Sequence, residues 1–311
     1  MIYAVYLNPT IDKTVYLSAL ELGGTNRPDT VLTQAGGKAL NLAVVASRLG
    51  APACITGFLC QEGSGMIRSA LAGLPCYFTE LPGSPRTNTK IYERSAARVT
   101  ELNETGPLFE PEAYSCFEKD LLSRLTGEDI VVLTGSLPRG CPPEYYGELI
   151  QKLPCPAALD ASGAALVAGI AAKPMLIKPN TDELAQLTGR SFDSTQSILA
   201  ACRQIIEGGV RICAVSMGKA GALITDGKEA FFAGSVVEKP DSTVGAGDSM
   251  LAGILSVLVQ GGDIQEALRL GSAAAAATIS LPGTNLATPE LTQEFLPKIT
   301  TKRLEFETCG K

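Results

Sequence analysis

The segment IYAVYL, residues 2 to 7, is nearly all apolar and rich in β-formers, without the alternation of a strand that has one wet face. Such a strand has to be covered on both sides. Five more segments repeat the theme, ACITGFL (53 to 59), DIVVLTG (129 to 135), PAALD (156 to 160), PMLIKP (174 to 179) and RICAVSM (211 to 217), each read as preceding a stretch of helical period. Strand and helix in rotation imply an α/β fold of three layers, a mainly parallel central sheet with helices on both faces. AGALITD and EAFFAG read as two short strands of an edge meander. Elsewhere the period shortens. DKTVYLSAL and NRPDTVLT, separated by Gly23 and Gly24, alternate polar with apolar and read as a hairpin with one solvated face, and TNTKIYERSAARVTELN (87 to 103) is a similar piece. Residues of about 10 to 35 and 86 to 104 are therefore expected to form a small β-sheet lid on a single domain spanning 1 to 311.

What the chain lacks narrows its chemistry. It contains no histidine, which removes Ser-His-Asp and Cys-His nucleophiles, HExxH zinc sites and His-ligated iron. A proton acceptor must then be Asp, Glu, Lys, Tyr or Cys. A net charge of -6 argues against a nucleic-acid or anionic-membrane surface while allowing a small basic pocket for an anionic substrate. Nine cysteines (Cys54, Cys60, Cys76, Cys116, Cys141, Cys155, Cys202, Cys213, Cys309) stand singly, with no CxxC, which suits a reducing compartment. The opening MIYAVYLNPTID resembles no export signal, and no apolar run reaches the ~18 residues of a membrane span. The expected location is the cytoplasm.

The strongest chemical signal is TVGAGDSMLAGILSVLVQGG, where Gly245, Ala246, Gly247 and Asp248 open a segment almost uniformly apolar as far as Val259. A helix so apolar belongs in the interior. Its free N–H groups and dipole attract anions, and the bare Gly245 and Gly247 let a phosphate reach the backbone. An aspartate beside an anion site is awkward unless it has a task, and in phosphoryl transfer the task is to accept the proton of the attacking hydroxyl. The plainer reading is a tight turn with Asp248 as a helix cap. Neither a Walker loop nor GxGxxG is present, since Met250 stands at the third glycine.

Other clusters carry paired readings of the same kind. QAGGKALNLAVVASRLG opens a second helix with Gly37, Lys38 and Asn41 near its start, suited to sugar hydroxyls or a phosphate, or else an ordinary loop-to-helix entry. In RTNTK, Arg86, Asn88 and Lys90 alternate and share one strand face, as on a ligand wall or a solvated edge. In KPNTDE, Asn180 and Glu183 fit a hydrated magnesium ion near nucleotide phosphates, or a capping box. SMGKAG follows a core strand at the place where open α/β sheets bind ligands.

In this order, NPTID, GGKALN, GSLP, LIKPN with NTDE, SMGKAG and TVGAGDSM resemble the ribokinase-like carbohydrate kinase family along nearly the whole chain. NPTIDKTV with TNR, RTNTK followed by TELNETG, and GSLPRG look like its 1-phosphofructokinase and tagatose-6-phosphate kinase branch. The resemblance implies ATP and Mg2+ as cofactors, with Asp248 as base and residues 245 to 248 as the anion hole. It implies that Asp12, Gly37 and Asn41 bind the sugar, and that Lys38, Arg86 and Lys90 hold its phosphate near Ser136, with Arg27 and Arg139 as further additions. Lys178 would touch the ATP phosphates, Asn180 and Glu183 would organise magnesium, and Ser216, Met217, Gly218, Lys219, Ala220 and Gly221 would line the nucleotide pocket. GSAAAAATIS and LPGTN would flank the adenine. One departure is Ala39, where relatives usually carry glycine, a methyl that would narrow the sugar site.

The implied reaction is ATP-dependent phosphorylation of D-fructose 1-phosphate to fructose 1,6-bisphosphate. The alternatives are tagatose 6-phosphate as acceptor and, from a different class, a sugar-phosphate-binding protein without turnover. The stripe Val15, Leu17 and Val31 implies a homodimer through the small sheet.

Overall fold

The computed structural model describes residues 1–96, 98–240 and 242–306, so Cys309 lies outside the described residues. In chain order the strands are β1 (Ile2–Tyr6), β2 (Thr10–Leu17), β3 (Thr30–Gly36), β4 (Ala53–Cys60), β5 (Cys76–Leu81), β6 (Arg86–Glu93) and β7 (Arg98–Asn103). They continue as β8 (Ile130–Thr134), β9 (Ala157–Asp160), β10 (Leu176–Ile177), β11 (Ile212–Ser216), β12 (Ala222–Thr225), β13 (Ala230–Ala233) and β14 (Thr301–Arg303). The helices are α1 (Lys38–Arg48), α2 (Ser64–Ala70), α3 (Pro111–Arg124), α4 (Tyr145–Lys152) and α5 (Gly163–Ala171), then α6 (Thr181–Thr188), α7 (Thr195–Glu207), α8 (Ala246–Leu258), α9 (Ile264–Ile279) and α10 (Pro289–Phe295).

Ten strands form the central sheet in the order β14-β13-β12-β11-β10-β9-β8-β1-β4-β5, parallel from β11 to β5 and antiparallel in the last three at the other edge. The continuous apolarity of β1 now has its cause. Ile2, Ala4 and Tyr6 face a core built with α1, α8 and α9, while Tyr3, Val5 and Leu7 face a second core with α3, α4 and α7. This is the expected three-layer α/β/α architecture. None of the described helices is long and apolar enough to cross a membrane.

Some elements differ from the sequence reading. β10 pairs over two residues only, because the prolines at 174 and 179 bracket it and cannot donate to a ladder. β11 is followed by a 3-10 turn, Gly218–Ala220, and not by a helical segment, so the chain reverses into β12. Two edge strands went unread: β5, CYFTEL, is half polar and only partly buried, and β14 has three residues.

The remaining four strands form a separate sheet in the order β3-β2-β6-β7. Its two halves are joined by a parallel ladder from Thr10 opposite Arg86 to Leu17 opposite Glu93. Register places Asp12 beside Asn88 and Asn88 beside Asn103 on one face, with Val15, Val31 and Ile91 in line on the other. Of the apolar stripe read from the sequence, Val31 is 43% exposed whereas Leu17 is buried at 4%.

Helices α8 and α9 meet backbone to backbone. A Cβ at Gly253 would stand 2.7 Å from Cα of Gly271, and one at Gly271 would stand 2.8 Å from the carbonyl oxygen of Met250. Only glycine permits this approach. It fixes α8 between α1 and α9 with residues 248 to 256 buried and its two ends partly exposed.

Candidate active site

Gly245 is the N-cap of α8 at φ 77°, a left-handed conformation that turns the chain sharply into the helix. No side chain caps this end, so its first-turn N–H groups are available to an anion. Gly245, Ala246, Gly247 and Asp248 all line a cavity of about 770 Å³. The helix end is therefore open and not plugged by side chains.

Asp248 is 6% exposed, and Nδ2 of Asn41 donates to its Oδ2 at 2.8 Å. Burial raises its pKa above the ordinary 3.8, and the like charge of Asp160 adds to the rise, while Lys38, Asn41 and Lys178 oppose it. A carboxylate raised in this way, facing a cavity, is a better proton acceptor than a solvated one. Asn41, expected to assist a sugar, is spent at least in part on orienting this carboxylate.

Two lysines flank the helix end. Nζ of Lys178 lies 3.2 Å from where a Cβ at Gly247 would sit, and Nζ of Lys38 reaches both carboxylate oxygens of Asp160 at 3.3 Å. Burial disfavours the charge on Lys38, but Asp160, Asp248 and Glu183 outweigh it and raise the pKa, so the ammonium persists.

A second cavity of about 340 Å³ shares Gly37, Lys38, Arg86, Asn88 and Asn103 with the first. Ser136 and Ala39 line only this smaller space. Oγ of Ser136 accepts from Asn8, and Nε of Arg86 donates to Thr10 Oγ1 at 2.8 Å, which aims the guanidinium along the shared wall. Lys90 lines the larger cavity but is buried against Asp12, with Nζ to Oδ2 at 3.2 Å. Its charge is thus neutralised on site, unlike that of Arg86. The other oxygen of Asp12, Oδ1, is buried without a partner, an acceptor that fits a ligand hydroxyl. Arg27 and Arg139 are exposed and line neither cavity.

On the nucleotide side the large cavity is lined by Ser216, Gly218, Lys219 and Gly221, and by Ser272, Ala275, Ala276 and Ile279 of the alanine-rich α9. Met217 and Ala220 do not line it. The thioether packs into the core on the opposite face of the sheet, and Ala220 faces outward in the 3-10 turn. Asn180 and Glu183 form a reciprocal capping box on α6, Oδ1 accepting from the Glu183 N–H at 2.8 Å and the Glu183 carboxylate accepting from the Asn180 N–H at 2.9 Å. Among the described residues no group of three or more His, Cys, Asp or Glu could hold a metal directly. Asn180, Asp182 and Glu183 all line the cavity, a donor set that fits a magnesium ion keeping much of its own water.

Sequence reasoning missed Asp160, Glu101 and Asn103. The last two line the cavity through the register of β7 on β6, a pairing that no local pattern reveals. Asp160 did leave a trace, since a carboxylate closing the otherwise apolar PAALD strand needs a partner once buried.

Comparison with known proteins agrees with this geometry. The description of pfkB family carbohydrate kinases matches residues 6–291. The 1-phosphofructokinase of Rhodobacter capsulatus is 35% identical over 97% of this chain and 98% of its own length, and that of Bacillus subtilis is 32% identical over 98% and 100%. Phosphofructokinase-2 from Escherichia coli, solved in complex with substrates and products, superposes with a TM-score of 0.90 at 28% identity, covering 96% of this chain and 98% of that one. With the match running through the small sheet, both lysines and the open end of α8, the chain belongs to the pfkB family of carbohydrate kinases.

Proposed function

We propose that the protein transfers the γ-phosphoryl group of ATP to the 6-hydroxyl of D-fructose 1-phosphate, giving fructose 1,6-bisphosphate and ADP. The observation that carries this reading is a buried carboxylate with a raised pKa at an uncapped helix end that opens into a nucleotide-sized cavity, which shares the Lys38 and Arg86 wall with a smaller one. Relatives named 1-phosphofructokinase, at 31% identity or more, support the acceptor.

In this reading Asp248 accepts the proton of the attacking hydroxyl, and the N–H groups of residues 245 to 248 stabilise charge on the group in transit. Lys178 neutralises the nucleotide phosphates from below Gly247. Asp12 accepts from a sugar hydroxyl, with Gly37 at the same wall. Lys38 and Arg86 hold the acceptor's phosphate, with Lys90 keeping the Asp12 carboxylate in place and Ser136 beside it. Asn180 and Glu183 would hold magnesium through its waters, and the ion would supply charge neutralisation between the phosphates.

A coupled assay of ADP release over a panel of sugars tests the assignment. Fructose 1-phosphate should give the highest kcat/KM, and Arg86→Met should raise its KM about tenfold or more while changing the KM for ATP little. Preference for tagatose 6-phosphate would move the acceptor within the same chemistry. Turnover of an unphosphorylated sugar alone would overturn the assignment of Lys38 and Arg86.

The small sheet is proposed as a lid that closes on the acceptor and excludes water, and its outer face as the contact of a homodimer. Val15, Val31, Ile91 and Leu102 give that face an apolar stripe. Light scattering at micromolar concentration should return twice the mass of 32.4 kDa, and Val31→Glu should return a monomer. A wild-type monomer would reject the interface. The proposed compartment is the cytoplasm, in keeping with eight free cysteines among the described residues.

A further inference from the structure

Asp160 touches neither cavity, yet it contacts two of the lysines that do, Lys38 and Lys178. It ends β9 in the middle of the central sheet and is 1% exposed. Nζ of Lys38 and Nζ of Lys178 each stand 3.3 Å from the same oxygen, Oδ1. Oδ2 takes a second contact from Lys38 and one from Oγ1 of Thr134, at 3.3 Å each, on the neighbouring strand β8. The carboxylate is therefore held at the end of a buried strand of the central sheet, while each ammonium arrives on a flexible stem from a different element. Lys38 begins α1 and lines both cavities, and Lys178 follows β10 and lines the larger.

Two ammonium groups this close repel each other, and each is drawn to whichever phosphate is bound. A single negative charge between them offsets the repulsion and gives both a fixed point to return to. Burial works against ionisation of Asp160, but Lys178 and Lys38 together hold its pKa below the usual aspartate range.

We propose that Asp160 is a positioning residue that sets the separation of Lys38 and Lys178, and through them the spacing between the acceptor's phosphate and the nucleotide's phosphates. The role rests on the kinase reading above and deepens it. It also gives a task to a carboxylate that is costly to bury, 1% exposed at the end of a core strand.

The test is Asp160→Asn, which keeps shape and one acceptor oxygen but removes the charge. Loss of a shared tether should weaken both substrates together: KM for ATP and KM for fructose 1-phosphate each rise about tenfold, and kcat falls by about 10²-fold as the reacting groups lose register. Arg86→Met, by contrast, affects the acceptor alone. A role confined to folding would lower Tm and leave the kinetics of the folded fraction unchanged, and that result overturns the proposal. Should Asp160→Asn fail to fold, Thr134→Val decides, because it removes one of the two contacts that hold Oδ2 while keeping every charge. A fall in kcat of about threefold or more supports the tether, and unaltered kcat and KM values reject it. Calorimetric binding of a non-hydrolysable ATP analogue to wild type and Asp160→Asn separates the two levels of inference. If wild type turns over no sugar phosphate, the acceptor assignment is wrong, whereas equal nucleotide affinity in the two proteins is evidence against Asp160 alone.

Discussion

Asp248→Asn is expected to lower kcat by about 10²- to 10⁴-fold and, in the same protein, to raise the thermal midpoint. The first effect follows from removal of the proton acceptor. The second follows from linkage, since the pKa of Asp248 is raised in the folded state by burial and by Asp160. A carboxyl whose folded pKa exceeds its unfolded pKa costs stability once the pH is above both values and nothing once it is below both. The gain in Tm should therefore be full at pH 8 and fade as the pH falls toward the ordinary aspartate value of 3.8. Asparagine can still accept from Nδ2 of Asn41, so the local hydrogen bond survives. Steady-state kinetics and calorimetry at several pH values check both halves. The acid limb of the wild-type kcat/KM profile should lie above 3.8 for the same reason. Retained activity would remove Asp248 from the chemistry, and a lowered midpoint would contradict the electrostatic account.

Gly253→Leu should be the most destabilising single change in the helix layer, at about 3 kcal/mol or more. Even a methyl at this position meets the Gly271 backbone at 2.7 Å, and backbone cannot swing aside. Helix α8 would have to move off α9, carrying Asp248, five residues earlier on the same helix, away from Asn41. Loss of activity should then exceed what the unfolded fraction explains. Gly253→Ala should fall between the two, and urea unfolding of all three proteins orders them. Equal stability of the leucine variant would mean that the helices do not pack at this point.

Helix α8 and its open entry were legible because two independent signals coincide in TVGAGDSMLAGILSVL, bare residues at an entry and an apolar run behind it. The capping box of NTDE was legible because it is entirely local. The small sheet was legible as a sheet but not the ladder that joins its halves, since pairing of Thr10 with Arg86 joins segments far apart in sequence and no turn residue specifies it. For the same reason the neutralisation of Lys90 by Asp12 leaves no signal in the local sequence. SMGKAG failed in detail because the strand period sends Ser216 and Met217 to opposite faces, so a contiguous motif does not make a contiguous wall. Asp160 stayed hidden because one charge at a strand end has many explanations until Lys38 and Lys178 are seen to converge on it.

The parallel pairing of β2 with β6 also constrains how recognition can proceed. Asp12 and Arg86 stand on adjacent strands of one continuous hydrogen-bonded plate, so if the plate closes as proposed, a hydroxyl acceptor and a phosphate clamp would reach the ligand in a single stroke. A sugar that lacks its phosphate cannot collect half of the grip by closing half of the plate. Discrimination between acceptors would then appear as all-or-none capture, steeper than the sum of the separate contacts.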